Sequence, residues 1–356
     1  LAEEAAEAAK LAAGRAAYAS AVEAGAIRHR ARLAVARLLG ADPARVALPA
    51  GGTLALNVAI RGLVRPGDRV IATAPDHNAT LRPLHALARR GAIALDVVPC
   101  DGVGRVDPAA VAAAWRPDTR LVVCTHASNV TGAVQDAAAI GALVREREGI
   151  LVLDAAQTLG QLPCDVASCG ADVVCAPAHK WLLAPSGTAL LWARAGIEPE
   201  PLVLGGTGTA SESLDMPAAF ADRLEAGTGD VPALAGLAAA VAWLEREGID
   251  AVRARCRDLA RDCAAGLREI RGVAVFAADD GPPIVSFTVA GHDPAEVAAI
   301  LEQAAGVEVR SGYHCAALVH AALGTRAGGT VRASFGPFNT AADVAAVVAG
   351  VATASG

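Results

Sequence analysis

The sequence predicts an α/β protein: a mostly parallel sheet covered by helices, followed by a smaller α+β domain. Three observations predict it. Seven short apolar runs recur along the first part of the chain, several almost uninterrupted, which is how strands buried on both faces read. Ala- and Leu-rich segments of helical length separate several of them, and alternation of this kind marks parallel strands joined by crossover helices. From about residue 235 the rhythm changes to two long helices followed by strands, so the boundary is set at 1–234 and 235–356.

In chain order the strand candidates are RVALPA (45–50), DRVIATA (68–74), ALDVVPC (94–100), TRLVVCTHA (119–127), ILVLDAA (150–156), ADVVCAPA (171–178) and GTALLWA (187–193). Helix candidates TLALNVAIRGLV, TLRPLHALARRG, DPAAVAAAW and AAAIGALVREREG fall between them. The second domain opens with ALAGLAAAVAWLEREG and DAVRARCRDLARDCAAGLREI as helices. It continues with strands near VAVFA, PIVSFTV, GVEVRSG and TVRASFG, and a last helix follows Asn339-Thr340. The N-terminal LAEEAAEAAK reads as a solvated helix in which Lys10 pairs with a nearby Glu.

Composition excludes several classes. Hydrophobic residues make up 54% of the 356, but Ala inflates that figure, and the apolar helices are too short or too quickly interrupted to span a bilayer. A net charge of −6 leaves no basic footprint for nucleic acid. The eight cysteines are scattered without a C-x-x-C, and no secretory signal is read, so they are expected as reduced thiols of a cytoplasmic protein. Cys164, Cys169, Cys175 and His179 are close in sequence but match no standard zinc spacing, and no metal is expected.

The polar residues at the strand ends carry the chemistry, because ligands of open parallel sheets bind beyond the carboxyl ends of the strands. Those ends hold Asp76, His77 and Asn78; Ser128 and Asn129; Asp154 and Gln157; His179 and Lys180; and Gly51-Gly52-Thr53 at a helix start. Lys10 and Lys180 are the only lysines among 31 basic residues. Lys180 follows an apolar run, where a desolvated amine can lose its proton and condense with a carbonyl, which Arg cannot do. A glycine turn at a helix N-terminus offers free N–H groups to a phosphate. Lysine, acid and phosphate cradle together are what pyridoxal phosphate requires. Singly, each has a plainer reading: Asp154 as a cap, His77 as a loop residue, the glycines as an ordinary turn.

The stretches GGTLALN, DHNATLRPL, THASNVTGAV, VLDAAQTLGQLPCDV, AHKWLLAPSGTALL, GGTGTASESL, DRLEAGTGDVPALAGL, VRSGYHCAALVHAALGT and VRASFGPFNT, in this order, resemble the class V aminotransferases of fold type I. Within them they resemble the cysteine desulfurase and selenocysteine lyase group; the likeness runs from GRAAYAS, beginning at Gly14, to the last helix. The resemblance implies that Lys180 carries the cofactor, Asp154 faces its ring nitrogen, Gln157 donates to its ring hydroxyl, and His77 stacks on the ring and handles protons. It implies phosphate contacts from Gly52, Thr53 and His179, and from Thr228 to the phosphate of a neighbouring subunit in a homodimer with shared sites. Asn129, Arg310 and Arg332 are implied for the substrate, Arg332 also because a guanidinium grips a carboxylate with two parallel hydrogen bonds. Cys315 stands where the desulfurases carry the cysteine that accepts sulfur, with Arg310 and His314 near enough in sequence to stabilise its thiolate. Unaided, a free Cys reads more often as a small buried hydrophobe.

The implied activity is conversion of L-cysteine to L-alanine with a persulfide on Cys315, a possible acceptor protein for the sulfur, and a place in sulfur metabolism such as iron–sulfur cluster assembly. L-selenocysteine lyase, an epimerase or aminotransferase of the same class, and an impaired PLP-binding paralogue acting as a scaffold are the alternatives. Departures from the family pattern are Leu54, Ala178, Trp181 and Asp230, together with the absence of the strand motif that usually precedes the first helix.

Overall fold

The computed structural model describes residues 1–11 and 17–355; the Gly14–Ala16 start of the GRAAYAS stretch lies outside them. The first half contains α1 (Ala2–Ala8), α2 (Ala19–Leu39), β1 (Val46–Ala47), α3 (Gly52–Leu63), β2 (Arg69–Thr73), α4 (Asn78–Arg89) and β3 (Ala94–Val98). It continues with α5 (Pro108–Ala114), β4 (Thr119–Thr125), α6 (Ala137–Glu146), β5 (Ile150–Asp154), β6 (Val173–Pro177) and β7 (Ala189–Ala193). All seven strand candidates are therefore strands of one sheet, ordered β1-β7-β6-β5-β4-β2-β3. The pairs from β6 through β5, β4 and β2 to β3 are parallel, while β7 runs antiparallel to both β6 and β1.

The uninterrupted apolar runs follow from burial on both faces. Val122, Cys124, Leu151 and Leu153 point into the core beneath α2 and α6, whereas Leu121, Val123, Ile150 and Val152 point into the core beneath α3 and α4. Each such side chain removed from water contributes about 1.5–3 kcal/mol, so an alternating polar pattern would be unaffordable here.

After β7 come α7 (Phe220–Leu224), α8 (Val231–Glu247), α9 (Ile249–Arg268), β8 (Val273–Phe276), β9 (Ile284–Val289), α10 (Pro294–Ala305), β10 (Arg310–Gly312), α11 (Val319–Ala322), β11 (Thr330–Ser334) and α12 (Ala341–Ser355). The four strands form a second, antiparallel sheet ordered β10-β11-β9-β8, backed by α9, α10 and α12. The boundary read at 234/235 falls inside α8, whose Val231, Leu234, Leu237 and Leu244 all sit in the large core. Helix α9 then passes from that core at Val252 and Cys256 to the small one at Ala260 and Cys263. Helix α10 was not read from the sequence, although Asp293 caps it, accepting from Ala295 N at 2.8 Å, with Pro294 in its first turn. Lys10 pairs with Glu7 at 2.5 Å on the exposed face beyond α1.

Among the described residues no helix is long and apolar enough to cross a membrane. No group of three or more His, Cys, Asp or Glu among them is placed to hold a metal.

Candidate active site

The carboxyl ends of the parallel strands and the start of α3 enclose a cavity of about 260 Å³. Its walls include Gly52, Thr53, His77, Asn129, Asp154, Gln157, His179, Lys180, Arg310 and Arg332. The topology explains the convergence: β2, β4, β5 and β6 are parallel neighbours, so the turns that follow them open on one edge. Gly51 turns the chain into α3 with φ +116°, and a Cβ on Gly52 would lie 3.0 Å from Pro177 at the end of β6. Glycine is what lets the helix start, with amides lacking intrahelical acceptors, approach the lysine strand.

Asp154 is buried at the end of β5, where its Oδ1 accepts from Ala156 N at 3.0 Å. Burial pushes its carboxyl above the usual range, with Lys180 and the Ala156 amide opposing. Burial pulls the Lys180 amine below its usual range; Asp154 opposes, while Arg332 and Arg310 add to the effect. The amine is thereby easier to hold neutral, the form that attacks a carbonyl or takes a proton.

His77 caps α4, its Nδ1 accepting from Ala79 N at 2.9 Å. That bond puts the ring proton on Nε2, and burial, then Lys180, Arg310, Arg82 and Arg332, press its pKa down to about 4. The ring is therefore neutral near neutral pH.

Arg310 and Arg332 lie directly opposite each other on β10 and β11. Two like charges in that register repel, and among the described residues neither meets a carboxylate. Arg332 donates from Nη1 to Asn129 O at 2.8 Å, its Nε is buried without a partner, and burial with Arg310 lowers its pKa to about 10. The pair is arranged to receive an anion.

Cys315 lies beside this cavity, on an adjoining groove of about 380 Å³ that shares Thr53, His77 and Ala79. Arg310 Nη2 donates to its Sγ at 3.4 Å. His314 and Cys315 are consecutive non-glycine residues with φ of +50° and +59°, a costly conformation that neighbouring structure must enforce. Asn129 Nδ2 donates to His314 O at 2.6 Å, and Asn78 N donates to Cys315 O at 2.6 Å.

His314 differs from expectation. Its Nε2 lies 2.9 Å from Thr330 Oγ1, and burial, with Arg332, His320 and Arg310, presses its pKa down to about 3. It carries no charge toward the Cys315 sulfur, and among the described residues Arg310 is the cation that donates to that Sγ. Thr228 does not line the cavity; it is exposed, on a separate depression beside Arg28 and Gly187.

Asp76 belongs to this edge too, although no role for it follows from the sequence alone. Fully buried, it accepts from Thr73 N at 2.7 Å and Thr125 N at 2.6 Å, tying the β2 turn to the end of β4. Burial pushes its pKa up to about 7, against those two amides. The available signal was an acid directly after an apolar strand and before His77.

A model of the family described as aminotransferase class-V matches residues 3–347. The chain belongs to the class-V aminotransferase family. Among its relatives, a probable cysteine desulfurase of Methanothermobacter thermautotrophicus is 35% identical over 343 residues, covering 93% of this chain and 84% of that protein. One of Pyrococcus abyssi, also described as a probable cysteine desulfurase, is 31% identical over 326 residues, covering 88% of this chain and 79% of that one. In fold, this class-V chain is similar to a cysteine desulfurase of Thermococcus onnurineus, with TM-score 0.90 and 27% identity, covering 99% of this chain and 91% of that one. It is also similar to the cysteine desulfurase CsdA of Escherichia coli, with TM-score 0.89 and 28% identity over the same shares.

Class-V enzymes use pyridoxal phosphate, and the residues present fit it. A buried carboxylate with a single amide donor suits a protonated ring nitrogen. The start of α3 suits the phosphate, and the depressed amine of Lys180 suits the carbonyl. Asp154, Lys180 and the start of α3 would hold the ring nitrogen, the carbonyl and the phosphate, which leaves Arg310 and Arg332 for a further anion.

Proposed function

We propose that this chain is a pyridoxal-phosphate-dependent cysteine desulfurase that converts L-cysteine to L-alanine and receives the sulfur on Cys315. One observation carries the reading: two cross-strand arginines, without a carboxylate partner among the described residues, share a cavity with the Lys180 amine, and one of them touches a cysteine thiol at 3.4 Å. A small amino acid with a carboxylate at one end and sulfur at the other matches that layout.

When bound, pyridoxal phosphate supplies an electron sink at the substrate's α-carbon. Asp154, in our reading, keeps the ring nitrogen protonated, and Gln157 donates to the ring oxygen. Gly52, Thr53 and His179 hold the phosphate. Arg332 and Arg310 grip the substrate carboxylate, with Asn129 completing that end. The Lys180 amine takes the α-proton, and His77, neutral with its proton on Nε2, serves as a further proton carrier. Cys315 Sγ then attacks the substrate sulfur. The substrate C–S bond breaks, an S–S bond forms on Cys315, and the proton given up by its thiol ends on the alanine methyl, so no outside oxidant or reductant is needed.

Two further points belong to this proposal. Thr228, exposed and outside its own cavity, is read as completing the phosphate site of a second copy. Cys315, on a groove open to the surface, is read as handing its sulfur to an acceptor thiol. Incubating the protein with L-cysteine tests the function: alanine and protein-bound sulfane sulfur should appear in equal amounts in the first turnover. Pyruvate, D-cysteine or a transaminated product in place of alanine would reject it.

A further inference from the structure

Trp181 directly follows Lys180, and its indole Nε1 donates to Gln157 Oε1 at 3.0 Å in a buried contact. An indole N–H can only donate, so the end of the Gln157 amide facing it must be the oxygen. The NH₂ end is then the one left for the cavity that Gln157 lines, and among the described residues it makes no hydrogen bond. Reversing the amide would set N–H against N–H at the indole and turn a carbonyl oxygen toward the pocket.

The two turns that carry these residues are locked together. Gly160, three residues after Gln157, has φ +93°, and a Cβ there would lie 2.5 Å from Trp181 O. Trp181 as a whole is only 9% exposed. The backbone of Trp181 thus rests on the Gln157 turn while its ring reaches back to the amide.

We infer that Trp181 is a positioning residue: it fixes the Gln157 side chain so that only N–H donors face the ring oxygen of the cofactor. The inference rests on the reading of Gln157 given above. An amide free to turn would spend part of its time presenting a lone pair to an anionic oxygen. A fixed donor favours the anionic ring oxygen at lower pH and strengthens cofactor binding.

The test compares wild type, Trp181→Phe, Gln157→Ala and the double variant, each loaded with pyridoxal phosphate. Two quantities are read: the cofactor dissociation constant by equilibrium dialysis, and the pH midpoint of the visible absorption of the bound cofactor. Trp181→Phe should weaken binding about fivefold, the worth of one hydrogen bond, and raise the midpoint. In the Gln157→Ala background the same substitution should change neither. Unaltered binding and midpoint in Trp181→Phe overturn the inference, and so does an equal effect in both backgrounds, which would mean packing alone. If Gln157→Ala itself matches wild type, the reading of Gln157 fails instead. Gln157→Glu gives a second arm should Trp181→Phe not fold. It keeps an acceptor for the indole and turns an oxygen to the pocket, so it should bind the cofactor more weakly than Gln157→Ala; equal or tighter binding overturns the inference.

Discussion

Replacing Arg332 separates a residue kept for its ligand from one kept for the fold. Its guanidinium is half-buried, makes one hydrogen bond to Asn129 O at 2.8 Å, and faces Arg310 across β10 and β11. Arg332→Lys preserves the charge but loses the two-pronged grip on a carboxylate. One charge-assisted hydrogen bond is worth about 1.5–3 kcal/mol, so kcat/KM for alanine formation from L-cysteine should fall roughly 10- to 150-fold. Arg332→Met removes the charge as well and should lower it further. The same substitution relieves the repulsion with Arg310 and the burial of a cation, which offsets the lost bond to Asn129. Its melting temperature in the absence of substrate should therefore not fall. Steady-state kinetics and thermal unfolding on the same preparations give both numbers. Full activity in Arg332→Lys, or a drop of several degrees in Arg332→Met with activity retained, would refute the reasoning.

Three other outcomes are expected. Lys180→Ala should abolish covalent fixing of pyridoxal phosphate by borohydride; trapping that persists in that variant would move the cofactor to another amine. For Asp76 the folded pKa of about 7 lies above the usual 3.8, so the folded state holds its proton longer. Its contribution to stability should decline as pH rises from about 4 to 7, by a few kcal/mol at most. Comparing unfolding of wild type and Asp76→Asn across that range should show the decline in wild type only, and parallel curves would count against it. Gly160→Ala places a methyl 2.5 Å from Trp181 O at a φ of +93° and should cost about 1–3 kcal/mol in unfolding free energy; a neutral substitution would mean that the two turns are not clamped.

The large sheet was legible because burial on both faces leaves short apolar runs of strand length rich in β-branched residues: Val122-Val123-Cys124 and Leu151-Val152-Leu153 have no polar side to mark. The strand-end rule then gathered His77, Asn129, Asp154, Gln157 and Lys180 at one edge, where all five line one cavity. Three things were not legible. Helix α10 was passed over despite its Asp-Pro start. The left-handed turn at His314 and Cys315 is enforced by Asn78 and Asn129, more than 180 residues away in sequence, so no local pattern encodes it. Of the two residues that proximity in sequence offers as partners of the thiol, Arg310 on β10 makes the contact, while the ring of His314 is turned to Thr330.

The central claim is that Cys315 takes the sulfur. Peptide mapping by mass spectrometry after a single turnover with L-cysteine tests it most directly, with alkylation before digestion to preserve persulfides. The extra sulfur should be on the peptide carrying Cys315 and not on buried Cys124 or Cys175. Cys315→Ala should bind L-cysteine and exchange its α-proton with solvent deuterium while yielding little alanine and no persulfide. Alanine released by Cys315→Ala at the wild-type rate would contradict the account.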